Sequence, residues 1–141
     1  MRVTQPLHRN LQQIPDQVAT VDGDRTHTWA QFVDRVARLA GGLTSVGVKS
    51  GDRVGIIALN SDRYMEVVFA APWAGAVIVP VNYRWSAAEI AFSLNDSGTR
   101  VLFVDRELWP VVAELRDQVE HPLTIISVDA VLNGEDANLD A

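Results

Sequence analysis

A chain of 141 residues with a formal net charge of -6 and no cysteine has room for one ordinary core, and it excludes disulfides, thiol catalysis and cysteine-held metals. Its acidity argues against a nucleic-acid backbone as partner, because such binders concentrate positive charge on one face. An apolar share of 48% with 21% charged residues belongs to a folded globular protein rather than a disordered one.

The opening residues, "MRVTQPLHRNLQQIPDQ", lack the apolar core of a secretory signal. Leu7, Leu11 and Ile14 share one side of a short predicted helix that Pro15 stops. "VATVDGDRTHTW" reads as a β-hairpin, with Gly23 free to take the positive φ of a tight turn. Thr28 and Gln31 then form a capping box, and Phe32, Val33, Val36, Leu39, Ala40, Leu43 and Val46 recur at helical period up to the stop at Gly47.

From Lys49 onward the pattern alternates. "RVGIIAL" (53–59) is apolar throughout, as expected of a parallel strand covered on both faces. Asn60 and Ser61 can cap the following helix, 62–74, which is apolar nearly all round and so predicts deep burial. The uncharged run 67–81 that includes it is too short for a membrane span and is broken by Pro72, Gly75 and Pro80. "AVIVPV" (76–81) is the second strand of the alternation, and Ser86 with Glu89 caps a helix over 87–96. "RVLFVD" (100–105) is the third strand, Asp105 opens a helix facing inward through Leu108, Val111, Val112, Leu115 and Val119, and "LTIISV" (123–128) is the fourth.

The fold class is therefore α/β: a parallel sheet of about four strands with helices on both faces, preceded by a β-hairpin and a helix. Pro80 cannot donate to a ladder, which places the second strand at an edge and gives the order 2-1-3-4. Ile56, Ile57, Phe69, Val77, Leu102 and Val104 are the expected core. Residues 1–129 form one domain, and 130–141 read as a polar tail.

The chemistry is sparser than the fold. Neither G-x-G-x-x-G nor G-x-x-x-x-G-K-[ST] occurs, so no glycine-rich loop offers its N–H groups to a phosphate. Lys49 reads as a solvated turn residue. His8, His27 and His121 are not spaced as metal ligands on one element, and Ser61, Ser86 and Ser97 are explained as caps and turns rather than nucleophiles. Asp22 and Asp24 read as turn carboxylates with no shared buried site. Asn82, Tyr83 and Arg84 differ, because they end a strand where open α/β sheets bind ligands. Arg84 suits bidentate phosphate contact, although an ion pair with a neighbouring carboxylate is the commoner use of such a residue.

Residues 26–105 resemble the N-terminal region of the AMP-forming acyl-CoA synthetases, the adenylate-forming ligase superfamily. "GDRV" before an apolar strand and "NS", then "AGAVIVPVN", then R-x-S-x-x-E, then "DSG" before "LFVD" carry the likeness by their order and spacing. The resemblance implies ATP-dependent activation of a fatty or aromatic carboxylate as an acyl-adenylate, then thioester formation with coenzyme A, with Mg2+ assisting the first step. The family's phosphate loop, its aromatic-Gly-x-Thr-Glu segment, its ribose-binding aspartate and its C-terminal lysine do not occur here. By the same resemblance this is an N-terminal fragment, inactive alone, with no catalytic or metal-binding residue of its own. ATP, Mg2+ and coenzyme A belong to the full-length enzyme, and none is expected to bind this chain tightly. Arg84 carries over as a contact for a coenzyme A phosphate. Pro72 departs from the pattern and should kink its helix or shift its end.

The alternative is a stand-alone, non-catalytic binding or oligomerisation module of the same fold. A phosphoacceptor receiver domain is poorer, since Asp62 stands alone after the first strand of the alternation. The expected partner is the remainder of the ligase or a second copy in a homodimer joined through the apolar run 64–73. Nucleic acid and a membrane span are not expected, and the absence of cysteine suits the cytoplasm.

Overall fold

The computed structural model describes residues 2–129. Helix α1 (Gln5–Gln13) leads into a hairpin of β1 (Val18–Asp22) and β2 (Arg25–Thr28). Gly23 takes φ +58° at its turn. Then follow α2 (Trp29–Ser45), β3 (Arg53–Ile57), α3 (Asp62–Trp73), β4 (Val77–Pro80), α4 (Ala87–Ser97), β5 (Val101–Val104), α5 (Trp109–Leu115) and β6 (Thr124–Ser127). The last four strands form one parallel sheet in the order β4-β3-β5-β6. That is the order expected from Pro80, whose strand is indeed an edge.

Helices start where the sequence supplies caps. At α2, the Gln31 N–H donates to Thr28 Oγ1 (3.3 Å) and the Thr28 N–H to Gln31 Oε1 (2.9 Å). At α4, the Glu89 N–H donates to Ser86 Oγ (3.3 Å) and the Ser86 N–H to Glu89 Oε2 (2.8 Å). These bonds, the backbone N–H of Ser86 first, hold the Glu89 carboxyl below the usual carboxylate range. At α3, Ser61 Oγ accepts from the Tyr64 N–H (3.1 Å). Each such cap satisfies N–H groups that the first helical turn leaves without partners.

The sheet separates two apolar layers. On one side Val54, Ile56, Val101, Phe103 and Ile126 pack under α1, α2 and α3, through Leu7, Phe32, Val36, Leu43, Val67 and Ala70. On the other, Ile57, Leu102, Val104 and Ile125 meet Ile90 and Leu94 of α4 and Val112 and Leu115 of α5. Burying each such side chain stabilises the fold by roughly 1.5–3 kcal/mol. Central β3 has no Cβ at Gly55, where Leu94, Thr99 and Leu102 close in.

Several expectations need correction. Ile56, Ile57, Leu102 and Val104 are buried, but Phe69 is half-buried and Val77 is 52% exposed. Val77 lies on the edge strand on the face opposite Ile78, which packs on the core, and a run that is apolar on both faces does not show which face is left uncovered. Helix α3 is not buried all round: Met65 faces solvent, while Asp62 and Glu66 are buried. Pro72 sits in the last turn of α3, so the helix ends at Trp73. The helix expected from Asp105 begins as a 3-10 turn (Arg106–Leu108), becomes α-helical at Trp109 with Pro110 in its first turn, and ends in a second 3-10 turn (Arg116–Gln118). The tail at 130–141 lies outside the described residues. Among the described residues, no helix is long and apolar enough to cross a membrane.

Candidate functional site

Because β3, β4, β5 and β6 are parallel, their carboxyl ends share one edge of the sheet, the edge where open α/β folds bind ligands. The turn after β4 stands at this edge. Asn82 organises it: its Oδ1 accepts from the Arg84 N–H (3.0 Å) and its carbonyl from the Trp85 N–H (3.1 Å). Such side-chain-to-backbone bonding makes asparagine a turn former. The Arg84 guanidinium lies 5.6 Å from the centroid of the Tyr83 ring, a cation–π distance. Among the described residues no carboxylate pairs with Arg84.

A second polar centre lies where the hairpin and α2 meet α3. Arg25 clasps Asp62 with two bonds, Nη2 to Oδ1 (2.9 Å) and Nε to Oδ2 (3.1 Å), and also reaches Asp22 Oδ2 (3.0 Å). The Asp62 N–H donates to Asp22 Oδ2 (3.1 Å), and His27 Nδ1 lies 3.8 Å from Asp62 Oδ2. Burial acts to raise the Asp62 carboxyl, but bonding and charge from Arg25, with the Arg63 N–H, outweigh it and hold the group below its ordinary range. One turn along α3, Glu66 receives the Arg35 guanidinium through Nε and Nη2. Arg63 reaches Asp129 Oδ1 at 2.7 Å.

These pairs fasten the hairpin and α2 onto α3, and because both carboxylates already have cationic partners, they offer no free charge for catalysis. The sequence reading missed them. The available signal was two acids at i and i+4 on a largely apolar helix. Asp22 joins Asp62 here, so it does share a buried site, though not with Asp24.

The other singled-out residues make local contacts. The Lys49 N–H donates to Asp52 Oδ2 in an exposed turn (2.8 Å). His8 packs against Trp73 with ring centroids 4.7 Å apart and planes tilted by 41°, His121 Nε2 lies 3.3 Å from the Leu94 carbonyl, and Ser97 Oγ donates to the Ser93 carbonyl (2.7 Å).

An apolar cleft of about 330 Å³ between α2 and the sheet is lined by Leu39, Leu43, Phe103 and Ile126, with Arg35 and Glu66 at its polar end. No group of three acidic, imidazole or thiol side chains converges among the described residues, and no glycine-rich loop follows a strand.

The sequence matches the model of the AMP-binding enzyme family over residues 7–141. A fatty acid--[acyl-carrier-protein] ligase of Streptomyces coeruleorubidus, ScoC, is 37% identical over 119 residues, covering 84% of this chain and 22% of the ligase. A feruloyl-CoA synthase of Amycolatopsis sp is 41% identical over 107 residues, covering 76% of this chain and 22% of the synthase. Among solved structures, the O-succinylbenzoate coenzyme A synthetase of Bacillus subtilis, in complex with ATP and magnesium ion, matches with a TM-score of 0.77 at 28% identity, over 94% of this chain and 34% of that one. The chain thus spans about a fifth of the length of these two curated relatives.

Proposed function

This chain belongs to the AMP-binding enzyme family, and we propose that it supplies the amino-terminal scaffold of an ATP-dependent, AMP-forming acyl ligase and has no catalytic activity alone. The longer enzyme would activate a carboxylic acid as its acyl-adenylate with release of pyrophosphate, then pass the acyl group to a thiol. ATP and magnesium supply that activation when bound. No step of the reaction is assigned to the residues described here.

The observation that carries the reading is the family match over 7–141, in a chain whose buried carboxylates among the described residues, Asp62 and Glu66, are both committed to structural pairs. What the chain contributes is placement: β3 and β4 bring their carboxyl ends to one edge, and the Asn82 turn fixes the backbone there. Arg84 is the residue we assign to a coenzyme A phosphate. It is exposed and unpaired among the described residues, and its planar fork matches phosphate oxygens.

One relative is named for fatty acids and a carrier protein, the other for a feruloyl thioester of coenzyme A, so the substrate class is a fatty or aromatic carboxylic acid. The domain ends near Asp129, just past the end of β6 at Ser127. Its partner is the remainder of the ligase or a second copy. The absence of cysteine suits a reducing compartment and supports a cytoplasmic location.

The test is pyrophosphate release by the 141-residue chain with ATP, magnesium and a panel of fatty and aromatic acids. Release at the level of a no-protein blank is expected. Turnover above it would overturn the non-catalytic reading.

A further inference from the structure

The amino ends of β3, β5 and β6 border a cavity of about 710 Å³, at the end of the sheet opposite the Asn82 turn. Lys49, Arg53 and Arg100 line it, in a chain whose net charge is -6. None of the three has an ion-pair partner among the described residues. The carboxylate beside them, Asp52, accepts the Lys49 N–H, and the ring nitrogens of His121 face the carbonyls of Leu94 and Pro122.

Strand register sets two of these cations side by side. Val54 pairs with Val101 across β3 and β5, so Arg53 and Arg100, one residue before each, stand on neighbouring chain segments about 4.8 Å apart. The Arg100 carbonyl accepts the Thr124 N–H (2.8 Å), which ties that position to β6 as well. Like charges across a ladder repel. Helices α2 and α4 also end here, but their carboxyl ends do not account for the arginines, because backbone donors close both. The Val48 N–H reaches the Leu43 carbonyl (3.0 Å) and the Thr99 N–H the Leu94 carbonyl (3.1 Å). Arg53 donates to the Gly51 carbonyl (3.3 Å) through Nη1 alone, which leaves most of its fork free.

We propose that this cavity binds a diphosphate group, free as pyrophosphate or carried by a nucleotide. The anion lies between Arg53 and Arg100 and relieves their repulsion, with Lys49 closing on it from the loop before β3. Each guanidinium fork matches a pair of phosphate oxygens. Two forks side by side therefore suit two linked phosphates.

Isothermal titration calorimetry of the 141-residue chain with sodium pyrophosphate, ADP and inorganic phosphate, without magnesium and at low ionic strength, is the test. Saturable one-to-one binding of pyrophosphate or ADP is expected, about tenfold or more tighter than that of phosphate. Arg53→Gln and Arg100→Gln should each weaken it about tenfold, the size of one lost charge-assisted bond. Arg9→Gln, which removes the same charge from α1, should not. Pyrophosphate bound as tightly as ADP assigns the free ion, and tighter ADP assigns a nucleotide. Without ligand, Arg100→Gln should hold or raise the urea midpoint, because it removes a repulsion. The proposal is overturned by no saturable binding, by phosphate bound as tightly as pyrophosphate, by an equal loss with Arg9→Gln, or by a midpoint that Arg100→Gln lowers.

Discussion

Two glycine-to-alanine substitutions should change stability in opposite directions, and the reason is packing alone. Neither Gly55 nor Gly41 has a positive φ, so alanine is allowed at both. At Gly55 in central β3, an added Cβ would lie 2.9 Å from Leu102 Cδ1, 2.9 Å from Thr99 Cγ2 and 3.7 Å from Leu94 Cδ2. Leu102, Thr99 and Leu94 are each fully buried, so the two close neighbours have nowhere to swing. Overpacking of this kind costs about 1–3 kcal/mol, which exceeds the several tenths gained by stiffening the unfolded chain. At Gly41, on the exposed side of α2, nothing lies within 4 Å of the added carbon. There alanine gains its helical advantage of about 0.8–1.0 kcal/mol.

Urea denaturation followed by circular dichroism reads both effects. The midpoint should fall for Gly55→Ala and rise for Gly41→Ala, each with an unchanged denaturant slope. A Gly55→Ala protein as stable as wild type would refute the reasoning, since it would mean that α4 and β5 do not close over β3 as described.

Leu102 is completely buried between β3 and α4, so Leu102→Ala should lower stability by about 2–5 kcal/mol in the same assay; an unchanged midpoint would show that β5 is misplaced. The Asp62 carboxyl is held below its ordinary range, so its ion pairing stabilises the fold above the unfolded value near 3.9 and is lost as pH falls through the lower, folded value. Wild type should therefore lose stability more steeply than Asp62→Asn below about pH 4. Parallel pH profiles for the two proteins would contradict this.

How much was legible in the sequence follows from the range of the interactions involved. The capping boxes at Thr28 and Ser86 join residues three apart, and the helical periods and apolar strands are equally local, so elements and strand order could be read directly. Pro80 marked an edge because its constraint is its own. Val77 was misplaced because the strand is apolar on both faces, and the spacing does not show that only the Ile78 face is covered. The buried acids of α3 were missed because Arg25 lies 37 residues before Asp62 and Arg35 lies 31 before Glu66, and only the docking of the hairpin and α2 onto α3 brings them together. Pro110 breaks the last helix into a 3-10 turn and a short α segment, which its apolar spacing conceals. At the strand-end turn, the sequence singled out Arg84 and its neighbours, while the Asn82 bonds that organise the turn and the stacking on Tyr83 required the three-dimensional arrangement.

We propose that this chain is the scaffold, and not the chemistry, of an adenylate-forming ligase. The most direct test of this claim is ATP–pyrophosphate exchange by a chimera in which this chain replaces the matching segment of the feruloyl-CoA synthase to which it is 41% identical, assayed with ferulate beside the parental synthase and the chain alone. The expected result is exchange by the chimera and the parent and none by the chain. Exchange by the chain alone, or a chimera that folds as cooperatively as the parent yet is silent, would contradict the claim.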